Sequence, residues 1–326
     1  MPSPDKILRS NSKSIEICGQ HLREDQLVAV PTETVYGLAG NALSESAVRK
    51  IFEVKGRPFI DPLITHFKDA QSAFKHVYAC EKAIKLANTF WPGPLTLVLQ
   101  KSDSIPDLVT AGLSTAAVRV PNHPLLQELL RKLDFPLAAP SANPFGYVSP
   151  TRPEHVSKTL GSKIAAILDG GFCSHGLEST VIEFHQAHNP RILRPGPISA
   201  EEIKNRTGLI IHTQERDGHD NLPQTSPGLL SKHYSPHTPI DIIENGQVDW
   251  VASEDEAIIL NKKPDTLDSD HVYWLSENGD LGEIARNLFD LIQKLDGRAY
   301  RKLTVEAAQN ESVGSAINDR LRRAAR

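Results

Sequence analysis

The chain has 326 residues, 39% of them hydrophobic and 23% charged, a composition that suits one large or two medium soluble domains and excludes disorder and collagen-like repetition. Lys and Arg total 36 against 40 Asp and Glu, for a formal charge of −4, which argues against a protein whose main business is coating nucleic acid. No stretch approaches the ~18–20 uninterrupted apolar residues of a membrane helix, and the opening MPSPDKILRSNSKSIE lacks the apolar middle of a secretory signal, so a cytoplasmic protein is expected.

In chain order, residues 14 to 206 alternate short apolar runs with amphipathic stretches and Pro/Gly turns, the pattern of an α/β or α+β domain. Leu27 to Val30 reads as the first strand. Ser44 then caps a helix whose Ala47, Val48, Ile51 and Phe52 share a face. Strands follow at Leu95 to Leu99 and Ala116 to Val120. Pro124 opens a second helix carrying Leu125, Leu126, Leu129, Leu130 and Leu133. Further strands are expected at Leu137 to Ala139, Ala165 to Leu168, Thr180 to Phe184 and Arg191 to Leu193. The chain then turns polar and Pro/Gly-rich over 207–239, which reads as an inter-domain linker. Beyond it, DIIE, EAIILN, HVYWL and RKLTVEA look like strands, Leu281 to Leu295 like a helix, and a last helix starts near Gly314 and runs into a basic tail. The expected organisation is therefore a first domain over 1–206, a linker over 207–239 and a smaller α/β domain over 240–326.

Templates for common chemistries are missing: no Walker A run, GxGxxG, HExxH or GxSxG occurs. Cys18, Cys80 and Cys173 are far apart with no CxxC pairing, so they read as ordinary buried or half-buried thiols. His66, His123, His175 and His233 have no near-sequence partner, and no ligand set for a metal emerges. The densest unusual stretch is Val28 to His66, VAVPTETVYGLAGNALSESAVRKIFEVKGRPFIDPLITH. Its helix delivers Lys55 and Arg57 on either side of Gly56, two cations able to converge on a polyphosphate. The same residues equally suit a helix C-terminus with a glycine cap.

Polar residues recur where strands meet loops: Thr32 and Thr34 in the PTET turn, Thr115 and Arg119 bracketing AAV, Ser141 and Asn143 after LAAP, Ser149 in SPT, Ser179 in GLEST and Arg194 in RILRPG. Open α/β sheets collect ligand groups at such positions. The pattern describes a cleft rich in hydroxyls and guanidiniums and poor in carboxylates, suited to holding a phosphorylated ligand with little side-chain acid–base work.

PTETVYGL followed by KGRPFIDPLITH, TLVLQ, STAAVRVP, APSAN, YVSPT, ESTVIE and RPG, in that order, resembles the YrdC-like superfamily. SPGLLSKHYSP and the extra domain resemble its two-domain threonylcarbamoyl-AMP synthases. The resemblance implies a twisted open-sheet α/β domain with a deep, positively charged cavity, joined to a smaller α/β (Rossmann-like) C-terminal domain. It also implies a nucleotidyltransferase that condenses L-threonine, bicarbonate and ATP into threonylcarbamoyl-AMP and pyrophosphate. The intermediate would feed a separate, downstream transferase that forms threonylcarbamoyladenosine in tRNA.

By position, the resemblance implies that Thr34, His66, Arg119, Ser179 and the backbone at Ala139 hold threonine. Lys55, Arg57, Asp61, Thr115, Ser141, Asn143, Ser149, Arg194, His233 and Tyr234 would line the ATP side, with Lys55 and Arg57 catalytic through charge neutralisation. Asp61 would meet either a ribose hydroxyl or magnesium. Mg²⁺ is expected mainly on ATP phosphates, and closure of 207–239 over the nucleotide is expected to exclude water. Competing readings are a double-stranded-RNA- or nucleotide-binding module without catalysis, and a hydrogenase-maturation carbamoyltransferase, whose zinc-finger cysteines have no counterpart here. Direct RNA binding is left open at this level, and the second domain is expected to serve closure or partner contact without catalysis.

Overall fold

The structure is a computed structural model that describes residues 6–184, 190–213, 233–244, 254–266 and 269–326. Most of the expected linker, residues 214–232, lies outside the described residues. The first large sheet is built from β1 (Ile7–Leu8), β2 (Val28–Val30), β3 (Gly37–Asn41), β4 (Ile64–His66), β5 (Val77–Tyr78), β6 (Leu95–Lys101), β7 (Thr115–Arg119), β8 (Leu137–Ala138), β9 (Ala166–Leu168), β10 (Thr180–Glu183), β11 (Arg191–Arg194) and β12 (His212–Thr213). It is open and mixed, in the order β1-β9-β2-β3-β8-β4-β7-β6-β10-β11-β12, with β5 adding to β6.

Helices α1 (Ser12–Arg23), α2 (Glu45–Lys55), α3 (Ala70–Ala73), α4 (Glu81–Phe90), α5 (Asp107–Thr110), α6 (Pro124–Lys132), α7 (Pro153–Leu160) and α8 (Ala200–Thr207) accompany this sheet. The sequence signals for two of them hold locally: Ser44 accepts the N–H of Ala47, and Pro124 stands in the first turn of α6, where its missing N–H costs nothing. One buried cluster under α2 and α4 joins Val48, Ile51, Phe52, Leu86 and Phe90 to Leu97 and Val118. Another joins Ile15, Cys18 and Leu22 of α1 to Leu126, Leu129 and Leu130 of α6. Cys173 is buried as well, but Cys80 is exposed, at the start of α4.

A separate, all-parallel sheet follows, β13 (Ile240–Ile243), β14 (Glu256–Lys262), β15 (Val272–Ser276) and β16 (Lys302–Glu306), in the order β13-β16-β14-β15. Helices α9 (Leu281–Asp296) and α10 (Gly314–Ala324) pack on it. The near-continuous apolar run AIIL in β14 serves both faces of the sheet: Ala257 and Ile259 join the α9–α10 cluster, and Ile258 and Leu260 pack with Val272 and Trp274 of β15. Among the described residues no helix is long and apolar enough to cross a membrane.

The two sheets do not have separate cores at their junction. Val35, Val148 and Leu177 of the first region belong to the buried cluster formed by Leu288, Phe289 and Ile292 of α9 and Ile317 and Leu321 of α10. Polar contacts frame it: Tyr147 donates to Asp296 at 2.7 Å, Gln293 to the carbonyl of Ser149 at 2.9 Å, and Arg152 pairs with Asp290. At Gly176 the backbone has φ +70°, and an added Cβ would stand 2.4 Å from the carbonyl oxygen of Arg286 and 2.7 Å from that of Ala285, both in α9. Only glycine permits that approach.

Gly176→Ala should therefore cost about 2–4 kcal/mol, backbone strain plus overpacking, read as a fall of several degrees in melting temperature. Gly112→Ala, at φ +78° with nothing within 4 Å of the new Cβ, should lose only about 1 kcal/mol. Equal losses at the two sites would show that the approach of α9 is not the constraint.

Candidate active site

Strand register assembles the centre of the site. His66 is the register partner of Arg119, Arg119 of Thr96, Thr96 of Val181, and Val181 of Arg194. A row across β4, β7, β6, β10 and β11 thus brings together residues that lie up to 128 positions apart in the chain. His66, Arg119 and Arg194 of that row line one cavity, together with Thr32, Thr34, Arg57, Ala139, Ser141, Glu178, Ser179, His233 and Tyr234 among others.

The PTET turn between β2 and β3 forms one end. Thr32 Oγ1 accepts the backbone N–H groups of Thr34 and Val35 and donates to the carbonyl of Val35, a local turn closed by a threonine hydroxyl. The Thr34 hydroxyl lies 2.7 Å from that of Thr32 and accepts from Arg119 Nη1 at 3.0 Å. Arg119 Nε reaches the carbonyl of Gly93, and Nη2 stands 2.7 Å from Glu33 Oε1. This last contact is an ion pair without an aligned hydrogen bond, since neither atom meets the geometry of one. Arg119 is thereby neutralised on one side while keeping an N–H direction for a ligand.

Ala139, Pro140 and Ser141 are stitched in by backbone. Ala139 N–H donates to Ile64, Leu38 to Pro140 and Ala142 to Tyr36. Lys55 Nζ donates to the carbonyls of Ser141 and Asn143. Gly56 closes α2 in the left-handed region at φ +64°, with Gly56 N–H on Glu53 and Arg57 N–H on Phe52, a helix ending that glycine alone takes without strain.

At the opposite end, Ser179 Oγ lies 2.7 Å from Thr96 Oγ1 and accepts from Arg194 Nη2 at 3.1 Å, while Arg194 also donates to the Ser179 carbonyl. Burial lowers the Arg194 pKa to about 10. Glu178 is pushed up by burial, but Arg320, Arg194 and the Ser149 hydroxyl outweigh this and hold it below the usual carboxylate range. Tyr234, at φ +67° and buried, stacks on Phe289 with centroids 5.6 Å apart and has Arg320 and Arg323 over its ring at 5.1 and 4.7 Å. The backbone N–H of His233 donates to Arg323.

Measured against the expectations, Thr34, Arg57, His66, Arg119, Ala139, Ser141, Ser179, Arg194, His233 and Tyr234 line this cavity. Five residues do not. Thr115 sits at the far end of β7 from Arg119, about 13 Å away along a strand rising ~3.3 Å per residue, in a separate depression with Tyr78 and Glu183. Lys55 is buried behind the 141–143 loop, and burial followed by the repulsion of Arg57 drives its pKa well below the usual value. Asp61 is fully buried and pairs with Arg57 at 2.9 Å. The side-chain amide of Asn143 donates to the carbonyls of Pro144 and Tyr147. Ser149 donates to Glu178.

Carboxylates were expected to be scarce, yet Glu33, Asp61 and Glu178 all stand beside the buried arginines. The acids at 33 and 178 lie inside the PTET and GLEST motifs, which was the available signal. Arg320 and Arg323 were visible only as a basic tail.

An α/β protein with a guanidinium- and hydroxyl-lined cavity at the strand ends of an open sheet is the class these observations define. The family model described as "Telomere recombination", covering Sua5, YciO and YrdC, matches residues 20–196, and that described as "Threonylcarbamoyl-AMP synthase, C-terminal domain" matches 198–326. The chain belongs to this two-domain Sua5/YrdC family. It is 40% identical to the threonylcarbamoyl-AMP synthase of Pyrococcus abyssi over 95% of this chain and 93% of that one. With the Bacillus subtilis threonylcarbamoyl-AMP synthase it shares 39% over 98% and 94%. A crystal structure of P. abyssi Sua5 complexed with L-threonine superposes with a TM-score of 0.88 at 38% identity, covering 98% of this chain and 96% of that one.

His66 is buried beside Arg119, and burial, then that charge, lower its pKa to about 3. An unfolded histidine protonates near ~6.5, so the folded state binds fewer protons between these values. The resulting stability is present above ~6.5 and is lost as pH falls toward 3. Imidazole NMR should show His66 neutral down to pH ~4; titration near 6.5 would mean that the ring is exposed and the cavity open.

Proposed function

We propose that the protein is an L-threonylcarbamoyladenylate synthase, condensing L-threonine, bicarbonate and ATP to threonylcarbamoyl-AMP and pyrophosphate for tRNA modification. The observation that carries this reading is the register row from His66 to Arg194, in a chain that resembles named synthases over nearly its whole length. It sets two buried guanidiniums at separate ends of one cavity, each braced by a hydroxyl, Thr34 for Arg119 and Ser179 for Arg194. Two anionic substrates fit that arrangement better than one.

In this reading the planar fork of Arg119 takes the threonine carboxylate, with Thr34, His66 and the Ala139 backbone around it and Ser179 answering the amine or hydroxyl. The amine, once deprotonated, forms an N–C bond to bicarbonate as a C–O bond breaks, giving a carbamate and releasing water. A carbamate oxygen forms a bond to the α-phosphorus as the bond to the pyrophosphate oxygen breaks. Arg57 and Arg194 neutralise the phosphates, the main protein contribution in such transfers. Ser141, His233 and Tyr234 border the nucleotide. Lys55 and Asn143 support the loop bearing Ser141, and Asp61 braces Arg57.

Among the described residues no group of three or more His, Cys, Asp or Glu side chains is placed to hold a metal ion. Mg²⁺ is assigned to the ATP phosphates, whose charge it would help neutralise. The division at 207–239, its closure as a lid, the cytoplasmic setting and delivery to a downstream tRNA-modifying transferase belong to the same proposal. A duplex-RNA module is the weaker reading. Arg57, Arg119 and Arg194 are 6%, 3% and 3% exposed, inside a cavity that a phosphate backbone cannot track.

Purified protein with ATP, bicarbonate and isotopically labelled threonine should yield a labelled adenylate by mass spectrometry; ATP-independent RNA binding with no adenylate would exclude the synthase. Arg119→Ala should raise the threonine KM by ~10- to 100-fold, the loss of a charge-assisted contact, with a smaller effect on ATP. Arg57→Ala should do the reverse. Equal effects on both substrates would contradict the assignment.

A further inference from the structure

Glu178 has no role in the scheme above, yet it is the one carboxylate among the described residues lining the cavity. One of its oxygens accepts from Ser149, the other from Arg320 Nε at 2.7 Å. Arg320 lies 142 residues further along, on α10 of the second domain, and is completely buried. Its guanidinium is used at two further points: Nη1 on Asp319 at 2.6 Å and Nη2 on the carbonyl of Pro195 at 3.0 Å. Glu178 and Pro195 directly precede Ser179 and follow Arg194 in the chain. The same guanidinium stands over the Tyr234 ring. One side chain from the second domain thus ties together the three segments that carry the Arg194 end of the cavity.

The Arg119 end is fixed without it, by Thr34, Glu33 and the carbonyl of Gly93. Ser179 is also held independently through Thr96. Stability is a poor reason for such a group, because buried ion pairs contribute little net stability over apolar packing, while multipoint guanidinium bonding fixes geometry.

We propose that Arg320 is a positioning residue: acting through Glu178 and the Pro195 carbonyl, it sets the Arg194 and Tyr234 side of the cavity, and with it the use of ATP. This rests on the assignment of the triphosphate to that end. It gives the second domain a part in the chemistry, contrary to the expectation of closure or partner contact alone.

The test uses full-length protein carrying Arg320→Met, Arg320→Lys, Glu178→Gln or the Arg320→Met/Glu178→Gln pair. Pyrophosphate release is followed with ATP varied at saturating threonine and bicarbonate, then with threonine varied. Arg320→Met is expected to raise the ATP KM by ~10-fold or more and the threonine KM by less than ~3-fold, with Arg320→Lys recovering part of the loss. The double variant is expected to share the ATP KM of Arg320→Met, because Glu178 acts only while Arg320 is there to hold, whereas Glu178→Gln alone, which keeps the bond to Pro195, is expected to lose less.

A wild-type ATP KM in Arg320→Met, equal rises for both substrates, or singles that multiply in the double would each overturn the proposal. If Arg320→Met does not fold, because it strands the carboxylate of Glu178, the double variant, which removes that carboxylate, carries the comparison. If the wild-type protein releases no pyrophosphate, the synthase reading fails separately. Dissociation constants for ATP and threonine in the same variants then decide the role of Arg320 by the same criteria.

Discussion

Guanidinium groups held out of water govern this structure. Arg57, Arg119, Arg194 and Arg320 are each no more than 6% exposed, and each carries a charge whose desolvation must be matched by partners on the protein. Arg57 has Asp61 and two carbonyls, Arg119 has Glu33, Thr34 and a carbonyl, Arg194 has Ser179, and Arg320 has Glu178, Asp319 and a carbonyl. Removing one member of a buried pair typically costs ~3–5 kcal/mol. The acids, hydroxyls and turns around the cavity are therefore tied to the arginines they serve.

Pairing also sets the character of the cavity. Carboxylates paired with Arg57, Arg119 and Arg320 fix how those guanidiniums are oriented. A site built this way presents directed donors whose geometry is fixed before a ligand arrives, so little reorganisation remains for binding or reaction. The second domain takes part in that preorganisation, since Phe289, Arg320 and Arg323 hold the ring of Tyr234 in a left-handed backbone conformation that a tyrosine does not take without cost.

The sequence announced those parts of the fold that depend on local pattern. Apolar runs gave β6, β7, β10 and β14, and capping residues gave the starts of α2 and α6. The Gly-rich GLAGN of β3 and the three-residue ITH of β4 carry no clear two-residue alternation, so neither was readable; they are strands because their neighbours in the sheet supply the partners. Thr115 was misplaced for a related reason. Two polar residues bracketing a strand lie at its opposite ends, and proximity in sequence concealed that. Arg119 with Thr34, 85 positions apart, and Arg320 with Glu178, 142 apart, are contacts that only the assembled sheet and the docked second domain create. Motif resemblance located the cavity's lining, but not which lining groups act through buried partners.

The two ends of the large sheet deserve comparison with its middle. β6 runs for seven residues in the interior, whereas the terminal strands β1 and β12 have two each. Unpaired strand edges invite another chain to add itself by backbone hydrogen bonding, and stubby edges give it little to hold. At the β1 margin, recruitment of a neighbour or growth into an aggregate by strand addition is disfavoured. A protein that docks there would have to recognise side chains and shape, with little backbone edge to complete.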